Sequence, residues 1–192
     1  MKMCRSLGLG ALVLTTLGAL GLAQIKEFTL QQMVDQVDNA VWGEIVGSRT
    51  FRVDDPVDGP ELYYTTLTIE GVSLVDGSQL TVDVTYAGGF VSDTEGVYNS
   101  EAPAADDVKI GNSIVAFYRW DDLGGGVKAN GLFAAHGGLY RTATGPKGVT
   151  VLGRGTGYAI PRNVKMADLT TAVAKLHAAK LERQRQQKQE GR

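Results

Sequence analysis

The chain has 192 residues, with 19 Lys+Arg against 21 Asp+Glu, a length that suits one domain with a sizeable core. Its single cysteine, Cys4, falls in the leader described next, so the remainder can form no disulfide and offers no thiol for nucleophilic or zinc chemistry. Residues 24–174 hold 11 basic and 19 acidic residues, and so acidic a body argues against a nucleic-acid partner, whose phosphates are bound by Lys and Arg.

Lys2 and Arg5 form a basic start, followed by an apolar stretch over 7–22 and the small residues of Gly21-Leu22-Ala23. This is the layout of a secretory signal peptide over 1–23, with Gln24 as the new amino terminus. A membrane anchor needs ~20 strongly apolar residues. Here the run is about 16 residues long and carries Thr15, Thr16 and several glycines. The expectation is an exported protein, periplasmic or extracellular, that does not span a membrane after cleavage. Cys4 is too far from the cleavage point to serve as a lipidation site.

The mature chain opens with a short helix. Thr29 and Gln32 have capping-box spacing, and Phe28 with Met33 has that of a hydrophobic staple. Leu30, Met33, Val34 and Val37 fall on one helical face, which should lie against the body. From Val41 the period changes to alternation: Val41, Ile45, Phe51 and Val53 share one parity, and Gly47 with Arg49 on that parity suggests a bulge or strong bend. The Asp- and Pro-rich stretch 54–60 is a loop.

A second strand runs over about 62–74, turns at Asp76-Gly77, and returns as the cleanest alternation in the chain. There Leu80, Val82, Val84 and Tyr86 oppose Gln79, Thr81, Asp83 and Thr85. Residues 87–107 then make a long polar excursion anchored by Phe90, Val91, Val97 and Tyr98, and a loop of that length in a compact domain is usually functional or mobile. Further strands are expected over 113–120, 127–135, 139–142 and 150–152. The helical period returns after Pro161, with Leu169, Val173 and Leu176 as an apolar seam. Past Leu181 no apolar face remains. The expected organisation is thus a signal peptide (1–23), a β-barrel domain with an N-terminal helix (24–160), a C-terminal helix (161–181) and a disordered basic tail (182–192). The fold class is mainly β: a small, strongly bent OB-like barrel of five to six strands flanked by the two helices.

Residues 65–74, Val108-Lys109-Ile110-Gly111 leading into 113–118, and 131–142 resemble a group of secreted bacterial proteins of unknown function. In that group a valine-rich strand precedes a Pro-Gly turn, a buried strand ending in Phe, and a Gly- and Phe-rich hairpin. The resemblance spans about 41–142 and the helical end. Ile110 replaces the usual proline, and His136-Gly137 stands where a polar-Gly turn is expected. It implies an exported OB-like barrel and carries no functional residue over to this chain, since none is established for the group.

The residues that could carry chemistry are few. The mature chain has two histidines, His136 in a Gly-rich turn and His177 on a helix beside Lys180 and Glu182. Neither has the partners that a zinc site needs. There is no G-x-S-x-G elbow, and the Gly153–Gly157 run lacks the Gly-Lys-Ser/Thr ending of a phosphate loop. The carboxylate pairs Asp54/Asp55, Asp106/Asp107 and Asp121/Asp122 sit in loops, where Asp serves turns, and a glycosidase needs its pair facing across a cleft. Asp93, Glu95, Asp106 and Asp107, with Glu101, share one loop and could ligate Ca²⁺, although no EF-hand or nonapeptide pattern supports it. No other cofactor is implied.

Aromatics are the stronger lead. OB-type barrels bind oligosaccharides and single strands by stacking on such rings, and Phe90, Tyr98, Tyr64 and Trp120 are the candidates. The expected function is therefore an exported, non-enzymatic binding module with an envelope protein or glycan as partner. The alternative is a hydrolase, or its accessory domain, using the acidic loop residues. An OB-barrel protease inhibitor would need an amino-terminal cysteine, which a chain starting at Gln24 does not have.

Overall fold

The computed structural model describes residues 28–54 and 59–191. The expected signal segment, its cleavage point and Cys4 lie outside the described residues. In chain order the elements are α1 (Leu30–Gln36), β1 (Asn39–Val53), β2 (Leu62–Ser73), β3 (Gln79–Ala87), β4 (Gly89–Ser92) and β5 (Glu95–Val97). There follow β6 (Ser113–Asp122), β7 (Lys128–Leu132), a 3₁₀ turn at Ala135–Gly138, β8 (Leu139–Gly145), β9 (Gly148–Val151), β10 (Val164–Lys165) and α2 (Met166–Glu190).

Five strands close into a barrel, as the sequence leads one to expect, and their order is β1-β2-β3-β7-β6 and back to β1. The β3–β7 contact is parallel, at Thr85 and Gly131, and the remaining pairings of the barrel are antiparallel. Closure depends on β1, which pairs with β2 along its length and with β6 over its first half. β1 changes direction at a bulge between Ile45 and Gly47: before it the strand pairs on both edges, with β2 and β6, and after it with β2. Just before it, β1 and β2 cross at Gly43 and Gly71, which are register partners. A Cβ on Gly43 would lie 2.2 Å from the Glu70 carbonyl oxygen, and one on Gly71 would lie 2.1 Å from that of Trp42.

The bulge corrects one sequence expectation. Val41 and Ile45 point into the barrel, but Phe51 does not follow them. After the extra residue Ser48 faces Leu67 and Phe51 faces Tyr64, so Phe51 lies on the outer face with the Tyr64 ring, centroids 5.8 Å apart.

Two cores share β6. Ile114, Ala116 and Tyr118 join Val41, Ile45, Leu67, Ile69 and Val84 inside the barrel. Val115 and Phe117, on the opposite face, join Met33, Val34, Val37, Tyr140, Leu169 and Val173 in a second core beneath the helices. A strand covered on both faces reads as a continuous apolar run, which is what Ile-Val-Ala-Phe-Tyr is.

The helices hold each other as well as the sheet. The Thr29 capping box forms: the Gln32 backbone N–H donates to Thr29 Oγ1 at 3.2 Å, and the Thr29 N–H donates to Gln32 Oε1 at 2.9 Å. At the other end of α1, Lys180 of α2 donates to the carbonyls of Val37 at 2.6 Å and Val34 at 3.4 Å, and Arg183 pairs with Asp35. A cation is favoured there by the exposed carbonyls of a helix end. No helix among the described residues is long and apolar enough to cross a membrane.

Three boundaries differ from expectation. The C-terminal helix starts at Met166 and continues to Glu190, so most of the segment expected to be a disordered tail is helical. Its Glu, Arg, Gln and Lys residues are good helix formers and extend a helix that packing has already nucleated. The strand expected over 127–135 stops at Leu132, because Ala134 and Ala135 take left-handed φ of 55° and 50° into the 3₁₀ turn. The polar excursion contains a two-stranded hairpin, β4–β5.

Two stability measurements test this architecture. Gly43→Ala should cost about 3 kcal/mol or more by forcing apart two backbones that cannot yield, whereas Gly145→Ala, with open space at its Cβ, should be nearly neutral in urea unfolding. Val84 is fully buried in the barrel and Thr81 is exposed on the other face. Val84→Asp should therefore cost several kcal/mol, roughly the penalty for burying an unpaired carboxyl, while Thr81→Asp leaves the melting temperature almost unchanged.

Candidate functional site

The excursion leaves β3 through Gly88 and Gly89, at φ of 100° and 127°, conformations that glycine adopts without strain. Thr65 Oγ1 donates to the Gly88 carbonyl at 2.8 Å, and a Cβ on Gly89 would lie 2.2 Å from that same hydroxyl oxygen. The chain is thus pressed onto β2 before it turns into the β4–β5 hairpin.

Polar contacts hold the hairpin in place. Arg52, near the end of β1, reaches Glu61 before β2 at 3.1 Å and Glu95 of β5 at 3.2 Å with the same guanidinium nitrogen. Glu61 and then Glu95 raise the pKa of Arg52 above its ordinary value. Tyr63 donates to Glu61 at 3.1 Å, and desolvation followed by Glu61 pushes its phenol upward. After β5, Asn99 Nδ2 donates to the Ala87 carbonyl at 3.0 Å and its Oδ1 accepts the Glu101 N–H at 2.9 Å.

Between hairpin and barrel lies a groove of about 330 Å³. One side is formed by residues 61–64 and 87–88, the other by residues 97–100. Tyr64 belongs to its floor. It is only 3% exposed, and its hydroxyl donates to the Leu123 carbonyl at 2.7 Å, tying β2 to the tip of the β6–β7 hairpin. Burial, and secondarily Asp122, raises its phenol pKa. Tyr98 forms the outer wall and is 82% exposed.

The groove therefore unites two of the four expected aromatics. Phe90 and Trp120 are also exposed, at 55% and 62%, but do not line it. Phe90 stands on β4. Trp120 stands on β6, where its backbone N–H donates to Asp38 at 2.7 Å.

The acidic residues expected to share a cation are engaged separately. Glu95 pairs with Arg52, Asp106 with Lys109 at 2.6 Å, and Asp107 with Arg154 at 3.3 Å. Asp93 sits in the exposed turn of the β4–β5 hairpin. Among the described residues no three His, Cys, Asp or Glu side chains are grouped as a metal ion would require. Ligands close in sequence are dispersed here because the loop is pinned to different barrel elements at its two ends.

His136 does the second pinning. Its ring nitrogens lie 3.1 Å from the Glu101 carbonyl oxygen and 3.0 Å from the Tyr158 hydroxyl, and its backbone N–H donates to the same carbonyl at 2.9 Å. That is a positioning role for the loop. His177 is partly buried on α2, and desolvation, then Lys180, lowers its pKa.

A wider cleft of about 750 Å³ runs between the start of α1 and residues 156–162. It begins at Phe28, the first described residue. Unlike the groove, it lies away from strands β2 and β3, the face on which OB-type barrels take ligands.

Arg52 and Glu61, which shape the rim of the groove, were not among the residues singled out from sequence. A signal for them exists. Between Arg52 and Lys109 the chain carries twelve Asp and Glu and no Lys, Arg or His. Comparisons with family models, with curated proteins and with solved structures find no match to this chain.

Proposed function

We propose that this protein is an exported, non-catalytic binding module of the cell envelope or extracellular space, holding a segment of a protein or glycan partner in the groove beside Tyr98. The observation that carries this reading is the placement of the groove. It adjoins β2 and β3, next to the β1–β2 connection and beneath the β6–β7 hairpin, the region where OB-type barrels take oligosaccharides and single strands. Its exposed ring supplies a stacking platform, and the acidic surroundings disfavour a nucleic acid.

Export rests on the basic start, the apolar run and Gly21-Leu22-Ala23. Expression of the full chain in an export-competent bacterial host should yield a product whose intact mass begins at Gln24. A product that retains Met1 or the apolar segment would overturn the export reading.

Binding is tested by titrating the ¹⁵N-labelled protein with a panel of envelope peptides and oligosaccharides. Amide shifts should cluster at residues 61–64, 87–88 and 97–100, and Tyr98→Ala should weaken binding about tenfold, ~1.4 kcal/mol, with an unchanged melting temperature. Shifts confined to the cleft beside α1, or a Tyr98→Ala variant that binds like the parent, would remove the groove as the site.

A further inference from the structure

Resting on that reading of the groove, we infer that its occupant is cationic: an extended peptide segment of a partner protein that inserts a Lys or Arg side chain between Tyr98 and Glu61. Among the residues lining the groove there is one carboxylate, Glu61, and no Lys, Arg or His. The cation that reaches the rim, Arg52, is already shared between Glu61 and Glu95, so this cluster of one guanidinium and two carboxylates retains a net negative charge. The same two carboxylates act on the neighbouring Tyr63 phenol, whose raised pKa has desolvation as its first cause and Glu61 as its next.

The lining is amphipathic in the way that suits a long basic side chain. Leu62, Val97 and the Tyr98 ring offer apolar surface to an aliphatic stem, and Glu61 offers a carboxylate to its head. The exposed face of Tyr98 also attracts a cation through the ring quadrupole. A saccharide's hydroxyls would bond a carboxylate too, but they also need donors and acceptors such as a free side-chain amide. The amide in the lining, Asn99, already spends its Nδ2 on Ala87 and its Oδ1 on Glu101. The groove is also short: about 330 Å³ receives one or two side chains rather than a run of sugar rings.

The experiment titrates the ¹⁵N-labelled exported protein with four probes: tetralysine, a Gly-Ser peptide of equal length, a glucosamine tetramer and cellotetraose. Tetralysine should shift residues 61–64 and 97–100, lose at least tenfold in affinity between about 20 mM and 500 mM NaCl, and bind several-fold more weakly to Glu61→Gln. Tyr98→Ala, which changes no charge, should weaken it several-fold to tenfold, while Tyr98→Phe keeps the ring and most of the affinity. The Gly-Ser peptide and both sugars should bind far more weakly.

Tetralysine binding that ignores Tyr98 would reduce the effect to diffuse attraction by an acidic surface and overturn the inference. Equal binding of the glucosamine tetramer would overturn the peptide in favour of an amino-glycan. Tyr98-dependent binding of cellotetraose alone would overturn the cationic occupant while leaving the groove as the binding site. Absence of any shift in the groove with all four probes would count against both readings.

Discussion

The constraint on which this structure rests is the bend of β1. A barrel of five strands closes only if its first strand, like every other, pairs on both edges. Here β1 does so by pairing with β2 throughout and with β6 over its first half. Two glycines, Gly43 and Gly71, allow the backbones to cross at a separation no Cβ would permit, and the bulge after Ile45 supplies the change of direction. The bulge also reverses which side chains face inward, and so places Phe51 on the outer face beside the Tyr64 ring.

β6 carries the rest of the molecule on its second face. Because Val115 and Phe117 emerge outside the barrel, the apolar faces of α1 and α2 have a surface to cover. Burial of that face is the main gain, since α1 is too short to be stable alone. Lys180 and the capping box then satisfy backbone groups that burial at either end of α1 would otherwise leave without partners. The helices are thereby kept on the side of β6 and β8, away from β2 and β3.

That separation leaves the start of β2 and the end of β3 to the excursion. The β4–β5 hairpin does not merge with the barrel sheet. It is held by Thr65 against Gly88, by Arg52 between two carboxylates, by Asn99 against Ala87, and farther along by His136 against Glu101. These contacts are individually modest, and the ion pairs are exposed enough for solvent to screen them. Their effect is geometric: a hairpin standing off the barrel at a fixed distance encloses a groove, with one ring buried beneath it and another exposed beside it.

Much of the architecture was written in local patterns. The Thr29–Gln32 box, the alternation of Val82 and Val84, the tight turn at Asp76-Gly77 and the doubly apolar run of β6 are short-range properties, and a period of two or 3.6 reports them directly. The acidic balance of residues 24–174 is likewise a property of composition. What only the tertiary structure decided is where non-local partners meet. Nothing near Tyr64 in sequence says that its hydroxyl will find Leu123, or that Asp107 will meet Arg154 and Glu95 will meet Arg52 instead of a shared cation. Phe51 changed face through one extra residue, at the bulge that Gly47 and Arg49 on the apolar parity suggested but whose effect on facing they could not give. The helix past Leu181 formed without an apolar face because α2 was already nucleated by burial farther back. Periodicity records what each residue does relative to its neighbours along the chain. The groove arises from contacts between segments tens of residues apart, which closure of the barrel brings together.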